Sequence, residues 1–202
     1  MIYLSFDIEE FDMPKEYGFD IPFERQMAIS REGLTAILDL LKKHGAKATF
    51  FSTVVFAQNA PDLIERLLGE GHELASHTYY HSDFAIEHLL SSKEALESQF
   101  GVTIEGLRMP RMLEVAASDV KQAGYLYNSS VNPTFLPGRY NKLHVPRAIF
   151  LEDGLWQIPA AVSPWRIPLF WLSFHNFPLW YYKHLLSRTV GSLSYAALYF
   201  HP

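Results

Sequence analysis

The chain has 202 residues, of which 49% are hydrophobic and 19% charged, a composition suited to one substantial core and unlike that of a disordered segment. Seventeen basic against 22 acidic residues give a net charge of −5, and without a basic block nucleic acid is not an expected partner. Cysteine is absent, which excludes disulfides and thiolate chemistry and leaves His, Asp and Glu to hold any metal.

Met1 to Asp12 begins as an apolar run of strand length and buried type and ends, without a turn signal, in the acids Asp7, Glu9, Glu10 and Asp12. Parallel α/β folds place their chemistry at such strand ends. A loop over 13–29 follows, with Pro14, Gly18 and Pro22; Ser30 is then the expected cap of a helix carrying Leu34, Ile37, Leu38 and Leu41 and closed by Gly45. Residues 46–51 form a second strand, and Pro61 opens a helix through Leu63, Ile64, Leu67 and Leu68. Residues 72–76 make a third strand leading into His77, and Ser91 with Glu94 gives a capping-box pattern for a helix ending near Gly101.

A short strand at 106–110 is stopped by Pro110. A helix through Val115, Val120 and Ala123 ends at Gly124, and residues 125–127 are strand five. Five successive strand–helix units predict a parallel sheet or barrel formed by residues 1–202 as one domain. Beyond Asn128 only 155–158 reads as a strand until a helix over 181–188 and a last apolar strand, 196–200, which runs into His201. Asp7 and Glu9 interrupt the first apolar run too early for a signal peptide, and no run approaches the ~20 residues of a spanning helix, so a cytoplasmic location is the default expectation.

His77 and His81, four apart, share a face if the chain turns helically after strand three, and can then bind one metal ion. The other reading is two partly exposed polar residues in a loop. Two histidines with one carboxylate make an open metal triad, and Asp7 suits the role of base if Glu9 takes the metal. Arg108, at the tip of strand four, can pair with that base and hold it charged and oriented, or form a surface salt bridge. His201 is a candidate proton donor, because an acid working near neutrality needs a matching pKa.

In chain order, Ser5-Phe6-Asp7-Ile8-Glu9-Glu10, His77-Thr78-Tyr79-Tyr80-His81, Arg108-Met109-Pro110, Tyr127-Asn128-Ser129-Ser130 and Leu198-Tyr199-Phe200-His201-Pro202 resemble the successive motifs of the polysaccharide deacetylases, the NodB-homology group of carbohydrate esterases. The resemblance implies an α/β fold, a distorted and incomplete (β/α) barrel of about seven strands. It also implies one divalent metal, commonly zinc, and hydrolysis of an N-acetyl or related acyl group from an amino sugar of a polysaccharide or glycoconjugate precursor. By position Asp7 is the base, His77 and His81 are metal ligands, Arg108 steadies the base and His201 protonates the leaving amine. Tyr80, Pro110 and Trp156 are expected at the sugar-binding cleft.

Three positions depart from the family pattern. Ile8 follows Asp7 where a second aspartate is common, so the metal carboxylate is Glu9, favoured by strand alternation, or Glu10. Asn128 stands where relatives of this branch often have Asp. Gln157 stands where an acidic residue is expected to tune the acid histidine, so His201 should have a less elevated pKa. Asn128 and Gln157 leave a catalytically silent carbohydrate-binding homologue as a second reading. The aromatic stretch 164–182 admits three readings: packing, stacking on sugar rings, or contact with a membrane interface by a deacetylase or deformylase of a lipid-linked sugar at its inner face.

Overall fold

The computed structural model describes residues 1–202, the side chain of Glu16 excepted. Its strands are β1 (Ile2–Ile8), β2 (Ala48–Ser52), β3 (Glu73–Ser76), β4 (Gly106–Leu107), β5 (Tyr127–Asn128), β6 (Phe135–Leu136), β7 (Tyr140–Asn141), β8 (Phe150–Glu152), β9 (Leu155–Gln157) and β10 (Ala196–Phe200). One eight-stranded sheet runs in the order β10-β1-β2-β3-β4-β5-β9-β8, and β6 and β7 form a separate hairpin. Seven of the eight strands are parallel neighbours, and β8 adds an antiparallel edge against β9. The sheet is a curled half-barrel, as the family resemblance implied. Beyond β9 the Ala160 amide donates to Val131 O and the Ala161 amide to Ala197 O, both at 2.8 Å. Hydrogen bonds on either side of residues 160–161, rather than a continuous ladder, thus link the chain after β5 to β10.

Strand alternation sorts β1 into two faces. Phe6 and Ile8 join Leu34, Leu38, Phe50, Leu74 and Leu107 in the core under the helices. Ser5 and Asp7 face the barrel interior, where Arg108 reaches both. Burial of each large apolar side chain in this core is worth about 1.5–3 kcal/mol, so the strand ends are carried on a firm platform.

The helices are α1 (Met13–Glu16), α2 (Phe23–His44), α3 (Val54–Asn59), α4 (Pro61–Gly69), α5 (His88–Phe100), α6 (Ala117–Gln122), α7 (Trp171–Asn176) and α8 (Leu179–Leu193). Helix α2 begins at Phe23, not at Ser30. Extended Pro22 (φ −57°, ψ 143°) turns the chain into it, and its carbonyl accepts from the Arg25 and Gln26 amides. Ser30 is buried within a stripe that continues through Met27, Leu34 and Leu38. The Ser91–Glu94 capping box does not form either, because α5 starts one turn earlier, at His88, and has no side-chain cap.

Helix α3 was not expected. Thr53 caps it, accepting from the Phe56 amide at 3.1 Å. Val115 precedes the shorter α6, behind a 3₁₀ turn at Pro110–Met112. The last helix is longer than predicted and packs Tyr182 and Leu185 against Leu198 of β10. Among the described residues no helix is long and apolar enough to cross a membrane.

Candidate metal centre and active site

Glu9, Glu10 and Asp12 follow the end of β1, and each meets His81 at a different atom. Glu9 Oε2 stands 3.0 Å from His77 Nε2 and 3.3 Å from His81 Nε2. Glu10 turns to the protein: Thr53 Oγ1 donates to its Oε2 at 2.8 Å, and the His81 amide donates to its Oε1 at 3.3 Å. Asp12 is buried and lies against His81 Nδ1 at 2.7 Å, with the Ser82 hydroxyl donating to its other oxygen.

His77 and His81 meet without the helical turn that their spacing suggested. Thr78 adopts a left-handed conformation (φ 65°), uncommon for a β-branched residue. The carbonyls of Thr78 and Tyr79 accept the first two amides of α3, Val54 and Val55, at 3.1 and 3.2 Å. Those amides have no partner within the helix, so the loop is fastened across its N-terminus. The chain thereby folds back, and the two imidazoles lie nearly parallel with ring centres 6.1 Å apart.

The proton positions on the two rings follow from their partners. His77 Nδ1 faces the Arg108 carbonyl at 2.8 Å, and a carbonyl can only accept, so Nδ1 carries the hydrogen. His81 Nδ1 faces a carboxylate and donates likewise. In the neutral rings both Nε2 lone pairs are therefore aimed at Glu9 Oε2, a buried oxygen without a hydrogen-bond partner. The three ligand atoms lie within 4.8 Å of one another. Two lone pairs and a carboxylate converging on one point repel each other unless a cation or a proton joins them. The donor set suits a divalent metal with an open position, and Asp12 and the Arg108 carbonyl orient the two ligand rings from behind. Without metal a proton takes that place: burial works against the His81 imidazolium, but Asp12 and Glu9 outweigh it and hold its pKa above the ordinary value. Burial likewise opposes ionisation of Glu9, yet His201 and His77 hold its carboxyl well below the usual carboxylate range.

Arg108 occupies the barrel interior, 2% exposed. Its Nη1 donates to Asp7 Oδ1 at 2.6 Å, its Nη2 to the hydroxyls of Ser5 and Ser129 at 2.9 Å each, and its Nε to Ser129 O at 3.1 Å. The guanidinium also lies over the Phe51 ring, 4.1 Å from its centre. It is therefore a buried pair with Asp7, not the surface salt bridge that the sequence left open. Asn128 helps build this clamp, since its Oδ1 accepts from the Ser130 amide and hydroxyl while Ser130 Oγ accepts from the Met109 amide. An amide oxygen serves that turn as well as a carboxylate would.

His201 sits on the rim, its side chain 37% exposed, with Nδ1 3.5 Å from Glu9 Oε1 and its ring edge-on to Trp171. The expected loss of a carboxylate partner does not occur. Burial opposes its protonation, but the bond to Glu9 and the charge of Asp7 raise its pKa. Gln157 is turned elsewhere, donating to Glu152 at 2.9 Å.

Of the three residues expected at the sugar cleft, Tyr80 is partly exposed beside His81 and packs on Tyr79 and His88. Pro110 is buried at the start of the 3₁₀ turn. Trp156 is exposed on β9 and pairs in register with Tyr127 of β5. Sequence reasoning gave no role to Asp12, Thr53 or Ser129. Asp12 left a signal as the last acid of the opening cluster, and Ser129 as a member of the motif at 127–130.

Residues 1–127 match the family described as polysaccharide deacetylase. The chain is 49% identical over 121 residues to a 30.6 kDa protein of Geobacillus stearothermophilus, covering 59% of this chain and 34% of that protein. It is 45% identical over 49 residues to a chitooligosaccharide deacetylase of Bradyrhizobium, covering 24% and 22%. The match thus spans about a third or less of the length of these curated relatives. A solved structure from Mycobacterium smegmatis, assigned to the polysaccharide deacetylases, superposes with a TM-score of 0.69 at 19% identity, over 100% of this chain and 76% of that one, which shows a shared fold.

Proposed function

Since the chain belongs to the polysaccharide deacetylase family, we propose that residues 1–202 form one catalytic unit that hydrolyses an N-acetyl or related acyl group from an amino sugar. The observation that carries this reading is the convergence of Glu9, His77 and His81 beside the Asp7–Arg108 pair, with His201 at the rim.

Glu9, His77 and His81 would hold a divalent metal, and the two-imidazole, one-carboxylate donor set suits zinc. Such an ion supplies Lewis acidity for the acyl carbonyl and lowers the pKa of a water molecule. Asp7 takes the proton of the attacking water, with Arg108 and the serines behind it fixing the direction of its carboxylate. His201 delivers a proton to the departing nitrogen, which releases a carboxylate and a free amine. Tyr80, beside His81, is the proposed ring contact for the sugar. Glu10 is assigned to structure, because both its oxygens are engaged by the protein.

Acetate release from N-acetylated chitooligosaccharides and from a generic acetyl ester tests the reading. Turnover that is lost in Asp7→Asn, with metal content unchanged, supports it. Absence of turnover by the metal-loaded protein on every acetylated substrate favours the silent carbohydrate-binding homologue.

A further inference from the structure

The charges of this acidic protein are unevenly placed. No Asp or Glu occurs between Gly154 and Pro202, while Arg166, Lys183 and Arg188 lie there. That stretch contains α7 and α8, which present four large apolar side chains to solvent. Leu172 and Phe174 of α7 are 44% and 45% exposed, and Leu179 and Trp180 of α8 are 53% and 72% exposed. On α8 the exposed positions Leu179, Trp180, Lys183, His184, Ser187 and Arg188 recur at helical spacing, and so share one face. The opposite side of the helix is spent on the core through Tyr182, Leu185 and Thr189.

The two helices form a continuous unit. Phe174 stands edge-on to Tyr182 at 5.3 Å, and Tyr181 touches both Phe177 and Trp180. Lys183 and Arg188 have no ion-pair partner among the described residues, and with no carboxylate in the stretch their charge is not offset locally. Trp and Leu at the leading end of a helix, with cations on the same face, is the arrangement that seats a helix in the headgroup region of an anionic bilayer.

We propose that the α7–α8 face is a docking surface for an anionic membrane, with Leu172, Phe174, Leu179 and Trp180 entering the interface and Lys183 and Arg188 meeting the lipid phosphates. The docked face adjoins the rim of the candidate site, since Trp171 of α7 contacts His201. A substrate displayed at the bilayer surface would thus lie close to His201. Binding is read without turnover, so this proposal stands or falls apart from the deacetylase reading.

Co-sedimentation with vesicles of phosphatidylcholine alone, or of phosphatidylcholine with phosphatidylglycerol, tests it. The protein should pellet with the anionic vesicles about tenfold more strongly than with neutral ones, and lose that preference in high salt. Leu179→Ser/Trp180→Ser should abolish pelleting. Lys183→Glu/Arg188→Glu should lower it to the neutral-vesicle level. All altered positions are exposed, and thermal unfolding serves as the control for folding. Trp180 emission should also shift to the blue on binding, and Trp180→Phe should remove that shift. No pelleting with either vesicle, or pelleting indifferent to both double variants, overturns the proposal. So does a dimer, seen by light scattering, that Leu179→Ser/Trp180→Ser dissociates while vesicles leave the protein in solution.

Discussion

Arg108 touches His77 through its backbone and Asp7 through its side chain: its carbonyl lies 2.8 Å from His77 Nδ1, and its guanidinium donates to Asp7 at 2.6 Å. One residue at the end of β4 therefore orients both a candidate metal ligand and the candidate base. The two functions are separable by mutation, because a side-chain change leaves the carbonyl in place. Arg108→Met should lower kcat by about 10²-fold or more, the scale of an ill-placed general base, while zinc content by atomic absorption stays at the wild-type level. It also leaves the Asp7 carboxylate buried without its partner, which costs about 3–5 kcal/mol of stability. Arg108→Met with Asp7→Asn should recover part of that loss in denaturant unfolding without recovering activity.

The assignment of Glu9 over Glu10 makes opposite predictions for two neighbouring carboxylates. Glu9→Gln, like His77→Ala and His81→Ala, should strip the metal on purification and abolish turnover. Glu10→Gln should retain metal, because its oxygens hold Thr53 and the His81 amide and do not face the ligand rings. Its cost should appear in stability, at about 1–3 kcal/mol for weakened charge-assisted hydrogen bonds. Loss of metal in Glu10→Gln with retention in Glu9→Gln would reverse the assignment.

Why these two acids differ could not be read from the chain alone. Strand alternation favours Glu9, but β1 ends at Ile8, and what turns Glu10 away is Thr53 at the far end of β2. The five strand–helix units were legible because β1 and β2 are largely apolar and Gly45, Pro61, Gly71, Gly101 and Gly124 punctuate the helices between strands. In the sheet β1 to β5 lie side by side in chain order, each parallel to the next. The start of α2 was hidden by Ser30, a residue favoured at helix starts that is here buried in mid-helix. The His77–His81 spacing suggested proximity by a helical route, whereas the actual route depends on a left-handed Thr78 bonded to the amides of α3. Such a conformation is fixed by tertiary contacts and leaves no trace in a single sequence. The same holds for Asn128, whose amide reads as a lost charge until its turn with Ser130 is seen.

The His81–Asp12 pair sets a pH dependence that metal should erase. In the metal-free protein the His81 pKa is raised above 6.5, since burial is outweighed by Asp12 and Glu9. Its stabilising contribution is then fully present below the unfolded value and is lost as pH rises through the folded one. Asp12 has the opposite sign: burial opposes its ionisation, but His81 and Ser82 lower its pKa, so its contribution is lost as pH falls through the folded value. The metal-free protein should therefore lose Tm above about pH 6.5, whereas the zinc form should hold its Tm there. Zinc uptake near neutrality should release a proton, measurable by calorimetry in buffers of different ionisation enthalpy. Asp12→Asn should remove the share of the alkaline slope due to His81, leaving that of His201, and weaken zinc binding about 10–100-fold, the range for an outer-sphere carboxylate. An unchanged slope in that variant would place the titration elsewhere.

Gly33 offers a test of His201 that does not touch the ligands. It lies in the middle of α2, where a Cβ would stand 2.8 Å from the carbonyl carbon of Pro202 and 2.9 Å from its Cβ. That approach is too close for a side chain, and most of the obstacle is backbone, so Pro202 must move and His201 with it. Alanine is otherwise preferred to glycine inside a helix by about 1 kcal/mol. Gly33→Ala should consequently leave the unfolding midpoint unchanged or higher while it lowers kcat by about tenfold or more, since small displacements of a proton donor are costly. The pH–rate profile should lose the limb due to the acid, and zinc content should not change. Full activity in a stabilised Gly33→Ala protein would mean that His201 is not the proton donor, or that it is not held there by α2.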